Sequence, residues 1–280
     1  MRFKYLKGCQ SIFRLTTLLL LLLFATFSLC SVAQRIVSLV PSVTQTLQQI
    51  GADDKVVART SLCPSATNGK TIVVGDVLTV NVEKIVAMQP SAVVTMGFTS
   101  QEVITKLQKL GVKVVSFHTP ISFDEMCAQT IELGELAKCE YAAKKYVNAL
   151  KDSVAYISKG VKQNDYKCFF QVGTKPLWGA YPNMYLDDMI KRIGGKNIVD
   201  FGNGSISREK VVASQPTLIV MTTMGGLWRE EKESWRKLCK DVLIIVIDEN
   251  IAGCPTPLNF YETMKKILSD NSFAEFNNRR

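Results

Sequence analysis

The chain has 280 residues, 47% of them hydrophobic and 21% charged, with 34 basic and 25 acidic side chains and a formal charge of +9. That is too apolar for a disordered chain and long enough for one large or two small cores. The positive balance comes without a basic run or basic–aromatic interleaving, which argues against a nucleic-acid partner.

Residues 1–33 read as a secretory signal. Arg2, Lys4, Lys7 and Arg14 precede an apolar stretch from Leu15 to Leu29, and Ser31-Val32-Ala33 is a small-x-small cleavage site before Gln34. Lipoprotein processing at Cys30 is the alternative, although Phe27-Ser28-Leu29 lacks the small residue expected before such a cysteine. The remainder carries 30 basic and 25 acidic residues, a charge of +5, and six cysteines: Cys63, Cys127, Cys139, Cys168, Cys239 and Cys254. Their spacing matches no metal-ligand pattern. An even count in an oxidising compartment permits disulfides without assigning any. Cys127 and Cys168 fall inside apolar patterns and read as buried thiols.

From Arg35 the pattern alternates. A strand over Arg35–Val40 runs into Pro41-Ser42 and a helix over Val43–Ile50, closed by Gly51. Strands follow at Val56–Arg59 and Thr71–Val74, then Gly75-Asp76, a short helix from Glu83, and a strand before Thr95. Gln101–Leu110 is a helix and Val112–Phe117 a strand, after which Ser122-Phe123-Asp124-Glu125 has the capping-box form that opens a helix. From Cys139 to Lys162 the pattern is one long helix, with Tyr146, Leu150, Val154, Ile157 and Val161 on one apolar stripe and Gly160 near its end. Beyond it come a strand over Lys167–Val172, a turn-rich loop over Gly173–Pro182, helices at Met184–Ile193 and Trp228–Lys240, a strand at Val242–Ile247 and a helix at Pro257–Leu268.

The two halves repeat. Glu83-Lys84-Ile85-Val86-Ala87-Met88-Gln89-Pro90-Ser91-Ala92-Val93-Val94 is answered by Glu209-Lys210-Val211-Val212-Ala213-Ser214-Gln215-Pro216-Thr217-Leu218-Ile219-Val220, at a constant offset of 126. Each copy predicts a short helix, a proline that ends it, and a β-branched strand. The expectation is an α/β protein of two Rossmann-like lobes: residues 34–138, a single long connecting helix over 139–163, and residues 164–280. Strands delivering their C-terminal ends to helix starts place a ligand between such lobes.

These segments resemble a known family. Arg35-Ile36-Val37-Ser38-Leu39-Val40-Pro41-Ser42, Val74-Gly75-Asp76, Val82-Glu83-Lys84-Ile85 through Gln89-Pro90, Gly194-Gly195-Lys196-Asn197-Ile198 and Ile206-Ser207-Arg208-Glu209-Lys210 are similar, in order, to the periplasmic binding proteins of ABC importers for cobalamin, haem and ferric siderophores. The closest likeness is to the cobalamin-binding members. The resemblance implies a periplasmic, monomeric receptor with no cofactor of its own, and the continuous connecting helix, which resists the bending that loop hinges absorb, predicts lobes that move little. The resemblance also implies a corrinoid in the cleft, with haem or a ferric siderophore as the alternative, and delivery to a permease dimer that Glu83 and Glu209 dock onto. The tyrosine, two tryptophans and arginine of the cobalamin-binding pattern are replaced here by Leu62 or Cys63, a residue near Val77, Met96 and the arginine-free Pro255-Thr256-Pro257-Leu258.

Candidate cleft residues are Ser42, Cys63, Met96, Phe98, Trp178, Tyr181, Phe201 and Trp228, since aromatic walls suit a large planar ligand. Trp178 and Tyr181 lie among turn residues, whereas Trp235 sits in a helical pattern and reads as core. Cys63 and Cys254 follow strands, one in each lobe, and are candidates to face each other. The single histidine, His118, disfavours the receptors for bare zinc or manganese, which need several imidazoles. Nucleophile-elbow, Walker and GxGxxG motifs are absent from the sequence, so a binding protein rather than an enzyme is expected.

Overall fold

The computed structural model describes residues 34–66, 69–76, 79–97, 99–164 and 166–278. The candidate signal segment 1–33 and the candidate cleft residue Phe98 lie outside the described residues.

The first lobe is a parallel sheet of β1 (Ile36–Ser38), β2 (Val56–Arg59), β3 (Ile72–Val73), β4 (Ala92–Met96) and β5 (Val114–Phe117), in the order β3-β2-β1-β4-β5. Its central strands are short β-branched runs buried on both faces, as a sheet covered by helices on each side requires. Alternation sends Ile36 and Val94 to one core and Val37 and Val93 to the other. The helices on this lobe are α1 (Pro41–Gln49), α2 (Val82–Ala87) and α3 (Gln101–Lys109). α1 begins with Pro41, whose fixed φ and missing N–H suit a first helical turn.

Two long helices follow, α4 (Phe123–Leu136) and α5 (Glu140–Ser158). Ser122 caps α4 as expected, its hydroxyl accepting from the Glu125 N–H at 3.2 Å. α5 stops a turn before the predicted end, giving about 28 Å of helix at 1.5 Å per residue.

The second sheet contains β6 (Tyr166–Thr174), β7 (Leu177–Gly179), β8 (Gly195–Asn197), β9 (Leu218–Thr222) and β10 (Leu243–Ile247). Its order is β10-β9-β6-β7, with β8 pairing the opening residues of β6, and only β7 is antiparallel. Its helices are α6 (Tyr185–Arg192), α7 (Arg208–Ser214), α8 (Trp228–Leu238), α9 (Glu249–Ala252), α10 (Pro257–Leu268) and α11 (Asn271–Asn278). The segment Gly173–Pro182, expected as a loop, instead continues β6 and turns at Lys175-Pro176 into β7. Three residues are too few for alternation to show. β8, of three residues, and α9, of four, escaped the sequence reading for the same reason, and the eight-residue α11 escaped it as well.

The sequence repeat is a structural one. Asn81 caps α2 by accepting from the Lys84 N–H at 2.8 Å, and Ser207, 126 residues on, caps α7 by accepting from Lys210 at 3.2 Å. Gln89 and Gln215 both turn the chain with positive φ, 46° and 51°, before their prolines, and β4 and β9 begin 126 residues apart.

The antiparallel pair α4–α5 belongs to both cores. Phe123, Met126, Cys127, Val147, Leu150 and Val154 pack in the second lobe, while Leu133, Ala137 and Ala143 pack in the first. Tyr146 touches both cores, and its hydroxyl donates to Gln49 Oε1 of α1 at 2.7 Å. At the crossing, a Cβ on Gly134 would lie 2.3 Å from the Cβ of Ala143. Gly134→Ala should therefore destabilise by about 1–3 kcal/mol through overpacking, although alanine is the better helix former by about 1 kcal/mol. Ala143→Gly in the same chain should restore part of the loss. Urea denaturation checks both, and a more stable Gly134→Ala would refute the close crossing.

Candidate functional site

In each sheet the strand order reverses beside the first strand, between β1 and β4 in one lobe and between β6 and β9 in the other. Open α/β sheets hold ligands outside the carboxyl ends of their strands at such points. At the first of them, Ser42 on the opening turn of α1 donates from its hydroxyl to the Met96 sulfur at 3.8 Å. Both are buried, and with Thr46, Met126, Gln129, Thr130, Leu133 and Pro255 they line a crevice of about 10 Å³, room for one water. Pro255 comes from the second lobe, so this crevice is the closed floor between the lobes. Asn259 on α10 completes it, donating through Nδ2 to Gln45 Oε1 at 2.9 Å and to the Cys254 carbonyl at 3.0 Å. At the second point, Thr222 Oγ1 donates to the Val172 carbonyl at 2.9 Å and holds the ends of β9 and β6 together.

Cys63 is buried behind the floor. Its sulfur lies 3.1 Å from Thr60 Oγ1 and donates to the Ser38 carbonyl at 3.8 Å. Cys254 is also buried, and exclusion from water pushes its thiol up to about 12, with Cys63 adding to the shift. Cys127 and Cys168 are core thiols, as expected.

The four aromatic candidates in the second lobe separate into three places. Trp178 and Tyr181 share one: a Cβ on Gly204, which has φ +91°, would lie 2.8 Å from the Tyr181 ring and 3.3 Å from that of Trp178. Trp178 stands opposite Gly173 near the carboxyl end of β6, while Tyr181 packs on the cluster of Phe169, Val199 and Trp235. Phe201 is 64% exposed and covered by the ammonium of Lys210 on α7, 3.6 Å from its ring centre. Trp228 opens α8, half-buried, with the Arg229 guanidinium 4.3 Å from its ring. Trp235 is core.

Beside Leu62 after β2, which the family pattern had marked, exposed apolar residues that sequence reasoning missed stand in the loops after other strands: Ile121 after β5, and Met224 and Leu227 after β9. The available signal was apolar side chains set among turn residues, most plainly in Met224-Gly225-Gly226-Leu227. His118 follows β5 on the same rim, its Nε2 against Glu125 Oε1. The Ile121 N–H donates to the other oxygen of Glu125 at 2.6 Å, and this bond, more than His118, holds the carboxyl below its usual range.

The repeated helices differ in their support. Arg208, at the start of α7, places Nη2 2.7 and 2.6 Å from the two oxygens of Glu231 and its guanidinium 5.0 Å over Trp235. Glu231 also accepts from Gln171 Nε2 at 3.1 Å, and Gln171 Oε1 accepts from Trp235 Nε1 at 2.6 Å. Val82, the equivalent of Arg208 in the first lobe, instead lines an open groove of about 540 Å³ with Asn81, Ser100, Glu102 and Lys106. Arg208→Met should cost about 1–3 kcal/mol, the low side of a broken buried pair because Arg208 remains partly exposed. Arg208→Met with Glu231→Leu should cost less than the single change. Denaturant midpoints decide it, and a double variant no more stable than the single would show that the ion pair is not what holds α7.

The floor residues gather where two α/β lobes meet. The chain belongs to the periplasmic binding protein family, whose profile matches residues 36–241. It is 27% identical over 209 residues to a cobalamin-binding protein of Halobacterium salinarum, covering 71% of this chain but only 56% of that one, so this chain spans about half the length of that relative. A vitamin B12-binding protein of Yersinia pseudotuberculosis is 26% identical over 258 residues, covering 81% of this chain and 89% of its own. Two solved structures from Vibrio cholerae share the fold: the periplasmic vitamin B12-binding protein BtuF, with TM-score 0.75 at 18% identity over 89% of this chain and 99% of its own, and the periplasmic haem-binding protein HutB, with 0.74 at 15% over 85% and 98%. Each of these relatives is named as a binding protein. Among the described residues, no helix is long and apolar enough to cross a membrane.

Proposed function

We propose that this protein is the substrate-binding component of an ABC importer, exported to the periplasm, where it captures a corrinoid such as cobalamin between its lobes and passes it to the permease. The observation that carries this reading is the rim of exposed apolar side chains, Leu62, Ile121, Met224 and Leu227, on the loops that follow strands of both lobes. Such a rim suits the face of a large, mostly apolar ring system. Ser42, Met96 and Cys63 would lie beneath it and Trp178 beside it. Tyr181, Phe201 and Trp228 stay on the proposed list, with Phe201 the residue most removed, beneath Lys210. A second reading, haem or a ferric siderophore, is favoured by Leu62 or Cys63, Met96 and the arginine-free Pro255-Thr256-Pro257-Leu258 standing where the cobalamin-binding pattern has aromatic and arginine side chains. Cyanocobalamin, haem and a ferric hydroxamate siderophore titrated separately into the purified protein, followed by absorbance and calorimetry, should show saturable one-to-one binding, tightest for cyanocobalamin. Tightest binding of haem would select the second reading, and failure of all three would remove this cargo class.

Glu83 and Glu209 fit the docking role. Each occupies the first turn of its repeat helix, and hydrogen bonds from the Glu209 backbone and from Ser207 hold the carboxyl of Glu209 below its usual range. Two exposed carboxylates at equivalent places suit a twofold-related cationic partner. Glu83→Arg with Glu209→Arg should change cargo affinity by less than about twofold, since the helix starts lie away from the cleft floor, while abolishing uptake. Normal uptake by the folded double variant would leave these residues only their place at the helix starts.

A further inference from the structure

Cys63 and Cys254 come from different lobes, 191 positions apart, and the segments that carry them are both tied to α1. Gln48 of α1 donates through Nε2 to the Ser65 carbonyl at 2.8 Å, fixing the loop that carries Cys63. One turn earlier on the same helix, Gln45 accepts from Asn259 Nδ2, which also donates to the Cys254 carbonyl. The Cys63 sulfur reaches the Ser38 carbonyl, just before α1, and Pro255, next to Cys254, closes the crevice over Ser42 and Thr46 of that helix. Both cysteines therefore lie in segments held against α1, one from each lobe.

We propose that Cys63 and Cys254 form a cross-lobe thiol pair which an oxidising compartment converts to a disulfide, pinning the lobes together at the cleft floor. In the reaction both thiols lose their protons and together give up two electrons, and one S–S bond forms between the two sulfurs. The electrons reduce the disulfide of the oxidant, glutathione disulfide or a protein of that class, to two thiols. The structure holds the reduced form, with both cysteines free. Burial keeps the Cys254 thiol protonated, so exchange waits for the floor to open and should be slow in the closed protein. The pair joins the lobes at the cleft floor, beside the α4 residues Met126, Gln129, Thr130 and Leu133 that line it, so the bond would add a covalent tie to the packing that limits how far the floor can part around a cargo. Nothing in this inference depends on which cargo is bound.

The test is a thiol map of the mature protein equilibrated with glutathione disulfide, acid-quenched and alkylated under denaturing conditions so that burial does not protect any thiol. Of the six mature cysteines, four should be alkylated and one peptide pair should join Cys63 to Cys254. Reduction should lower the Tm of this sample by several degrees and leave that of Cys254→Ser unchanged. Alkylation of both cysteines, or attachment of either to a different cysteine, overturns the proposal. Because the map is read on the wild-type chain, the answer stands even if Cys254→Ser fails to fold.

Discussion

The antiparallel packing of α4 on α5 is the constraint on which the rest depends. Neither sheet has a complete core without it. The opening turns of α4 and the later turns of α5 fill the second lobe, while the end of α4 and the start of α5 fill the first. Gly134 lets the helices approach at the crossing, and Tyr146 bridges the two cores there. A pair of helices whose apolar faces are committed at both ends resists bending, because bending would open both cores together. Further ties run from the start of α4 to α6, where Arg192 joins Asp124 and Asp188 at 2.9 Å each and the Phe123 N–H donates to Asp188 at 3.0 Å. A cleft built on such a frame presents its walls at a nearly fixed separation, which suits a rigid cargo more than one that the protein must wrap.

Within that frame the two lobes are structural repeats that differ in how their repeat helices are held. The repeat keeps what the backbone needs: a capping side chain, a short helix, a left-handed glutamine, a proline and a buried strand. Between the repeat helix and its neighbour, the second lobe carries the Arg208–Glu231–Gln171–Trp235 network and the first an open groove. A guanidinium held by a buried carboxylate and stacked on an indole fixes α7 to α8, and α8 begins beside the rim residue Leu227. The first lobe, with Val82 in that place, lacks this polar connection. A twofold-related partner would thus meet two acids in equivalent positions on differently stiffened supports.

The division between legible and illegible follows from physical range. Continuous β-branched runs beside turn residues located the strands β1, β4 and β9, and the helices α5 and α10 were legible because each buries an apolar face long enough to impose its period on the sequence. The repeat at an offset of 126 and the capping residues Asn81, Ser122 and Ser207 were readable because capping and turn chemistry act within a few residues. Length, charge and the run of family-like segments sufficed for the fold class and the family.

The tertiary structure decided what depends on residues far apart in the chain. It showed that α4 shares the connecting role with α5, since a helix's apolar stripe does not say which core it enters. It placed Ser42 and Met96, 54 residues apart, in contact, brought Pro255 over them, and tied the segments that carry Cys63 and Cys254 to the same helix. It separated aromatic candidates that look alike in sequence, leaving Trp178 near the end of β6 and drawing Phe201 under Lys210. A side chain's neighbours across a cleft are set by how two folded bodies dock. That geometry leaves no local pattern in the chain, because the energy that fixes it comes from surfaces that exist only after each lobe has folded.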